Sequence, residues 1–438
     1  MVKINIITLG CSKNTVDSEV LMKQLQASGL DVVHDSNEPT DTIIINTCGF
    51  IADAKEESIE TILNSVALKN AGKIKKIIVF GCLSERYAEM LKKEIPEVDL
   101  WYGVHDLEHI VAAAQATFNP ELLIDRVLTT PSHYAYVKIA EGCNRRCSFC
   151  AIPLIRGKHV SKPIETILNE SKRLIDNGVK ELILISQDLT YYGIDLYGKQ
   201  RLTELVDLLS EQCGAEWIRL HYTFPSGFPL PLLDLMRERP NICNYIDIPL
   251  QHINDKILKD MQRGIGTEGT IALLEQFRKR LPDAAIRTTF IVGYPGETEK
   301  AFLELADFVK TSQFDRMGVF TYSPEEQTAA FKRKDSIPQK VKNERSEHLM
   351  SLQQEISLAK NRKKIGTTQK VLIDDFEAPY YIGRTEHDSP EVDNTVLIES
   401  RQPLVAGNFY TVKIIEAELY DLMAEVVRQE KSVIYTQL

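Results

Sequence analysis

The sequence predicts an α/β protein in three parts: an amino-terminal α/β domain, an open (β/α)6 partial TIM barrel, and a small carboxyl-terminal β-barrel. Three observations lead there. A chain of 438 residues with 43% hydrophobic content can bury a substantial core but is too long for one. Through most of its length, β-branched runs alternate with amphipathic helical stretches. After Gly366 the alternation gives way to short strands separated by Gly and Pro turns. The expected parts are 1–125, 130–365 and 366–438.

In the first part, "INIITL", "DTIIIN" and "KIIVFG" read as buried parallel strands, and Asp53–Asn70 and Ser84–Glu97 as helices. From Tyr134, six apolar runs follow: "YAYVKIA", "ELILIS", "WIRLHYT", "NYIDIPL", "IRTTFIVG" and "RMGVFTY", with helical segments such as Ile164–Asn177 between them. Six βα units fall short of the eight that close a barrel, so the sheet stays open along one side, where a bulky substrate can enter. Residues 338–364 place Val341, Leu349, Leu352 and Ile356 on one face and predict a connecting helix packed on the barrel. The strands "QKVLIDDF", "NTVLIES" and "YTVKIIEA" then form the last barrel. There is no internal repeat and no low-complexity segment.

No run of about 18 apolar residues exists, and "MVKINIITLGCSKN" lacks a signal-peptide pattern, so a soluble, cytoplasmic chain is expected. A formal charge of −10 argues against a purely electrostatic grip on nucleic acid. Eight cysteines are too sparse for a disulfide scaffold, and their clustering points to metal ligands.

Cys143, Cys147 and Cys150 lie in "EGCNRRCSFC", directly after a strand ending in Glu141 and Gly142. Soft thiolates at this spacing suit an iron–sulfur cluster or zinc. Structural zinc wants four protein ligands and an electron-transfer cluster four cysteines, so three leave a position open for substrate or cofactor. Zinc completed by His159, or three incidental thiols, are the alternatives. Cys11, Cys48 and Cys82 each follow a predicted strand and each stands beside a glycine (Gly10, Gly49, Gly81). Because the carboxyl ends of parallel strands share one edge, these thiols are expected to meet and hold a second cluster. Cys213 and Cys243 have no such company and read as structural.

"CNRRCSFC" matches the CxxxCxxC motif of radical S-adenosylmethionine enzymes. With "LGCSKNTVDSE", "NTCGF" and "FGC" upstream and "QKVLIDDF" to "YDLMAEVV" downstream, the whole chain resembles the methylthiotransferases, which join a cluster-binding amino-terminal domain, a radical barrel and a TRAM domain. The resemblance implies two [4Fe–4S] clusters: a radical one on Cys143, Cys147 and Cys150, and an auxiliary one on Cys11, Cys48 and Cys82. It implies that S-adenosylmethionine chelates the open iron of the first and yields a 5′-deoxyadenosyl radical, while the second carries the sulfur that is methylated and inserted. No catalytic residue beyond the ligands is assigned. Phe149 is expected to shield the radical cluster, Gln187 to meet the methionine end of the cofactor, and Gly293 and Gly296 to let backbone approach the adenine, unless they simply serve a turn.

The family divides by substrate, one branch acting on an adenosine in transfer RNA beside the anticodon, the other on an aspartate β-carbon of small-subunit ribosomal protein S-twelve. "CSKNTVDSE", "RGKHVSKPI", "QDLTYYGID" and "PLQHINDKILKDMQRG" with His252 resemble the protein-modifying branch; Ser12 and Ala424 depart from its usual pattern. From Thr367 to Leu438, six Lys or Arg stand against thirteen Asp or Glu, so the last barrel is expected to repel RNA and attract a basic ribosomal protein. Arg145, Arg146, Arg156, Lys158 and Lys162 are expected to surround the radical cluster, where an acidic electron donor such as a flavodoxin would dock.

Overall fold

The computed structural model describes residues 2–334 and 336–429. The amino-terminal sheet is parallel throughout, with strands in the order Asp31–His34, Lys3–Thr8, Thr42–Thr47, Lys76–Gly81, Leu100–Trp101. The strand order reverses between Lys3–Thr8 and Thr42–Thr47, and in such sheets the crevice beyond the carboxyl ends at that point is where ligands bind. Helices Ser12–Ala27, Ala52–Asn70 and Cys82–Glu94 cover the faces over two apolar layers.

The six expected barrel strands are all present: Tyr134–Lys138, Glu181–Ile185, Trp217–Leu220, Tyr245–Asp247, Ala285–Val292 and Arg316–Thr321. They form two three-stranded parallel sheets. These are joined where Ile218 N–H donates to Asn241 O (2.8 Å) and Cys243 N–H to Ile218 O (2.9 Å). Helix Gln339–Lys364 packs on the last strand through buried Leu349 and Ile356, on the face the sequence marked. The carboxyl-terminal strands close a five-stranded barrel, Thr368–Glu377, Tyr380–Arg384, Val396–Glu399, Leu422–Gln429, Phe409–Ala417. Among the described residues no helix is long and apolar enough to cross a membrane.

The segment between Arg384 and Val396 seals the amino-terminal end of the open barrel. Tyr134 and Tyr136 hydroxyls donate to the two carboxylate oxygens of Glu391 (3.0 and 3.2 Å), and Tyr245 donates to Asp393 (2.6 Å). Asp393 also pairs with Arg287 (3.2 Å), Asp388 pairs with Arg316, and Ser389 Oγ bonds His221 Nε2 (2.9 Å). Beneath this plug, buried Glu181 lies between Arg219 (2.6 Å) and Arg384 (2.9 Å), and Arg384 reaches Asp374 (2.6 Å). Asp374, Glu386, Asp388, Glu391 and Asp393 therefore bond the radical barrel or its plug, so part of the acidic excess expected to face a partner is spent inside the molecule.

Burial opposes ionisation of Glu181, Asp374 and Asp388, but their arginines outweigh it and hold all three carboxyls below the usual range. Groups with depressed folded-state values stabilise the docked state above the unfolded value of about 4, and that stability is lost as pH falls through the folded value. Protection of the amides in 385–394, as exchange relative to the intrinsic rate at each pH, is therefore expected to hold from pH 8 to 5 and to fall below about 4. Arg384→Leu, which takes one of two arginines from buried Glu181 and leaves Asp374 with His133 alone, is expected to open the segment at neutral pH. Opening on raising the pH from 5 to 8 would contradict this account.

Candidate active site

Three adjacent strands of the amino-terminal sheet deliver Cys11, Cys48 and Cys82 to one edge, with Cys48 and Cys82 buried and Cys11 exposed. Burial pushes the Cys82 thiol up to about 11, and the nearby Cys11 and Cys48 add to the shift against the pull of Arg156. The loops converge because glycine permits it. Gly10 (φ +95°) lies where a Cβ would come 2.7 Å from Cys48 Cβ; Gly81 (φ +102°) lies where one would come 2.6 Å from Thr47 O. Asn14 locks the same loops from below, its Nδ2 donating to Leu9 O (2.7 Å) and Thr47 O (3.1 Å). It is a residue that the motif contained and the sequence reading passed over.

The second triplet follows strand Tyr134–Lys138 at the same end of the open barrel. Burial pushes Cys143 up to about 11 and Cys150 up to about 12, with Cys147 adding in each case. Two donors aim at sulfur: Arg145 N–H at Cys143 (3.4 Å) and Arg263 Nη1 at Cys147 (3.3 Å). Arg263 is 4% exposed and stacks on Phe224 (4.0 Å), against which Arg145 also lies (4.1 Å). Phe149 packs beside Ile257, Met261 and Tyr294.

Both sets fit a thiolate-held cube: the sulfurs come in threes, and N–H donors point at them as they do in sites that tune a cluster. Structural zinc wants four protein ligands, and His159, the candidate fourth for the second triplet, is engaged elsewhere. It bonds Ser161 (3.1 Å) and lies against the Tyr191 ring (5.0 Å).

Arg156 joins the two sets. It is 3% exposed, and its Nη2 donates to Asn14 Oδ1 (2.6 Å) and Cys82 Sγ (3.5 Å), while Nη1 faces Asp17 (2.7 Å) and Glu141 (3.2 Å). Lys138 bonds Asp17 and, at 2.7 Å, Glu141. Burial disfavours the charge on Glu141, but Lys138 and Arg156 hold its carboxyl below the usual range. The expected basic ring is thus thinner than the sequence implied. Arg156 is internal, Arg145 pairs with Asp188 (2.7 Å) and Lys162 with Glu170 (2.9 Å), leaving Arg146 and Lys158 exposed.

At the mouth, Gln187 Nε2 donates to Glu141 (2.8 Å) while its Oε1 is buried without a partner. Tyr222 (φ +63°) and Gln251 (φ +74°) hold strained backbone beyond neighbouring strand ends. Gly293 N–H donates to Glu297 (2.5 Å), which Arg345 of the connecting helix also engages (3.0 Å); the Lys342 stem fills the space behind Gly293, and Gly296 has open space beside it. His252 is fully buried 4.0 Å from Glu297, and burial, with Arg345, pushes its pKa down to about 3, so it packs as a neutral ring. Cys213 and Cys243 are buried, each raised by burial, to about 11 and about 12.

Known families match all three parts. Residues 3–103 match the uncharacterized protein family UPF0004, 137–309 the radical SAM superfamily, and 365–427 the TRAM domain. The chain is 54% identical over 424 residues to the ribosomal protein uS12 methylthiotransferase RimO of Christiangramia forsetii, covering 97% of this chain and 94% of that one. The chain belongs to the RimO family. RimO of Bacteroides fragilis is 54% identical over 427 residues (97% and 99% covered), and that of Flavobacterium psychrophilum 55% over 424 (97% and 98%). Among solved structures, TsrM from Kitasatospora setae, a radical S-adenosylmethionine methyltransferase with cobalamin and a [4Fe–4S] cluster bound, shares the fold. Its TM-score is 0.54 at 12% identity, with 73% of this chain and 72% of that one covered. As a RimO-family chain with a radical SAM region, this protein is an enzyme whose class works with a [4Fe–4S] cluster and S-adenosylmethionine.

Arg156→Leu would leave Asp17, Glu141 and Asn14 facing an apolar chain. Urea unfolding is expected to show a loss of about 2 kcal/mol through a lower midpoint, with Lys138 limiting the damage; an unchanged midpoint would remove Arg156 as the link between the sets.

Proposed function

We propose that this enzyme adds a methylthio group to the β-carbon of an aspartate in ribosomal protein uS12, with Cys143, Cys147 and Cys150 holding one [4Fe–4S] cluster and Cys11, Cys48 and Cys82 a second. The observation that carries the reading is the pair of three-thiol sets, each at the carboxyl edge of a parallel sheet and linked through Arg156, in a chain more than half identical to RimO proteins. When bound, the first cluster with S-adenosylmethionine supplies a 5′-deoxyadenosyl radical for hydrogen abstraction, and the second supplies the sulfur to be methylated and inserted.

Around those groups the chain's own side chains position and screen. Arg263 and the Arg145 N–H stabilise charge on Cys147 and Cys143, and Arg156 does so for Cys82. Glu141, kept ionised by Lys138 and Arg156, turns Gln187 so that its free Oε1 accepts from the methionine end of the cofactor. Phe149 excludes water from the barrel side, and the loop of Gly293 and Gly296 offers backbone to the adenine. The working parts are 1–125, 130–365 and 366–438, acting in the cytoplasm. Exposed Asp375, Glu377, Glu399, Glu416, Glu418 and Glu425 of the last barrel give it an outward acidity suited to a basic ribosomal protein rather than to nucleic acid. Exposed Arg146 and Lys158 face an acidic electron donor such as a flavodoxin.

Cys143→Ala is expected to abolish reductive cleavage of S-adenosylmethionine. Cys48→Ala is expected to spare that cleavage, stop sulfur insertion and lower bound iron from about eight to about four per chain; a Cys48→Ala enzyme that still methylthiolates would refute the second cluster. Mass spectrometry after incubation with both candidate substrates should find the methylthio group on uS12. A gain on transfer RNA and none on the protein would reverse the assignment of substrate.

A further inference from the structure

Lys13 belongs to the first turn of helix Ser12–Ala27, yet its side chain leaves the amino-terminal sheet and ends in the mouth of the barrel. Its Nζ lies 3.3 Å from the centroid of the Tyr222 ring, beyond the end of strand Trp217–Leu220. The residue is only 9% exposed. Among the described residues, no carboxylate pairs with this ammonium and no acceptor hydrogen-bonds to it; the aromatic face is its one polar contact. Lysines this buried are almost always paired, because a desolvated charge without a counter-charge is costly.

The anions nearby are committed elsewhere. Asp247 feels the charge of Lys13, but it accepts from Tyr222 N–H (2.8 Å) and lies 3.6 Å from Arg287, which Asp393 of the plug also holds (3.2 Å). What surrounds Lys13 favours a further anion. The helix has no acidic residue in its first turn, its amino-terminal N–H groups add a positive end, and Ser12 Oγ is buried with no partner. The position also links the two parts of the site: Cys11 of the first sulfur set is two residues away, and Tyr222 stands beyond a strand end of the barrel whose first strand leads to the second set.

Building on the proposed function, we propose that Lys13 is the docking cation for the carboxylate of the substrate aspartate, a positioning contact that presents the neighbouring β-carbon to both sulfur sets. The geometry of aspartate makes this grip informative, because the carbon to be modified is bonded directly to the carboxylate carbon. Fixing one fixes the other within a single bond length, the kind of placement that intramolecular-like reactivity requires. Asparagine has the same shape without the charge and forfeits the interaction.

The test uses the reconstituted holoenzyme and peptides of the uS12 target loop carrying aspartate or asparagine at the modified position, with affinity read by fluorescence anisotropy. Wild type is expected to prefer the aspartate peptide by roughly 10-fold to 100-fold. Lys13→Met, of similar length and uncharged, should bind both peptides alike, and Lys13→Arg should keep most of the preference; iron content and circular dichroism check folding of each. Wild type that binds the two peptides equally, or Lys13→Met that retains the preference, overturns the assignment. Loss of S-adenosylmethionine affinity in Lys13→Met with the peptide preference intact overturns it in favour of the cofactor's own carboxylate. If wild type modifies transfer RNA and leaves uS12 untouched, the functional reading itself falls; if it modifies uS12 and the preference survives in Lys13→Met, only the role of Lys13 falls.

Discussion

One buried guanidinium sets the relation between the two sulfur sets. Each set is built by its own parallel sheet; Val16 packs the helix Ser12–Ala27 on the barrel strands and Arg126 pairs with Glu19 across the junction (2.8 Å), but neither contact touches a thiol. Arg156 supplies the constraint that reaches a thiol, since a planar fork with fixed N–H directions can satisfy Asn14, Asp17, Cys82 and Glu141 only in one arrangement. Buried ionic networks add little net stability compared with apolar packing, and their strength lies in selecting one geometry over its neighbours. Chemistry that passes a group from one site to another needs that selection more than it needs stability. A second tie, Lys55 (2.8 Å) and Arg86 (2.7 Å) on buried Glu325, holds the far side of the same junction.

The open barrel uses its two ends differently. With six strands it lacks the ring of side chains that fills a closed eight-stranded barrel, and its lower lumen is occupied by the polar segment from the last barrel. That arrangement explains how Arg219 and Arg384 are tolerated with essentially no exposure: Glu181, Asp374 and the Glu386 carbonyl surround them. The carboxyl-terminal barrel is thus part of the core of its neighbour as well as an outward surface.

Much of this was legible in the sequence. The six barrel strands, the connecting helix and the convergence of Cys11, Cys48 and Cys82 follow from apolar runs and from the rule that parallel strands end along one edge. Helix Ser12–Ala27 escaped because its inward face carries Asn14, Ser18, Glu19 and Gln24, buried polar residues that erase the apolar stripe. The helix expected at Ser84–Glu97 runs from Cys82 to Glu94, since Gly81 turns directly into it and Ile95 precedes Pro96. Strands Asp31–His34 and Leu100–Trp101 are too short to show a period. Arg156 read as a surface base because its partner Asp17 lies 139 residues away, and a sequence does not show which charges will meet. The acidic count of the last barrel likewise does not separate carboxylates that face outward from those that meet arginines: Asp388 and Asp393 look like any other exposed carboxylate until their arginines are in place.

The contrast between the barrel's ends bears on where a ligand belongs. Glu391 in the plug has a left-handed backbone (φ +69°), and both of its carboxylate oxygens are taken by tyrosines, so the strain is offset within the chain. At the mouth, Tyr222 and Gln251 carry comparable backbone strain, yet Gln251 Oε1 and Gln187 Oε1 are buried without hydrogen-bond partners and the Lys13 ammonium has only a ring face. The plug also buries polar atoms without hydrogen-bond partners, such as His387 Nε2 and Asn394 Nδ2, but its buried arginines all have carboxylate partners, a counter-charge that the Lys13 ammonium lacks among the described residues. The unmatched acceptors and the unmatched cation call for different partners, in keeping with the roles proposed above: the Gln187 acceptor for the methionine end of the cofactor, and the Lys13 ammonium for the substrate carboxylate.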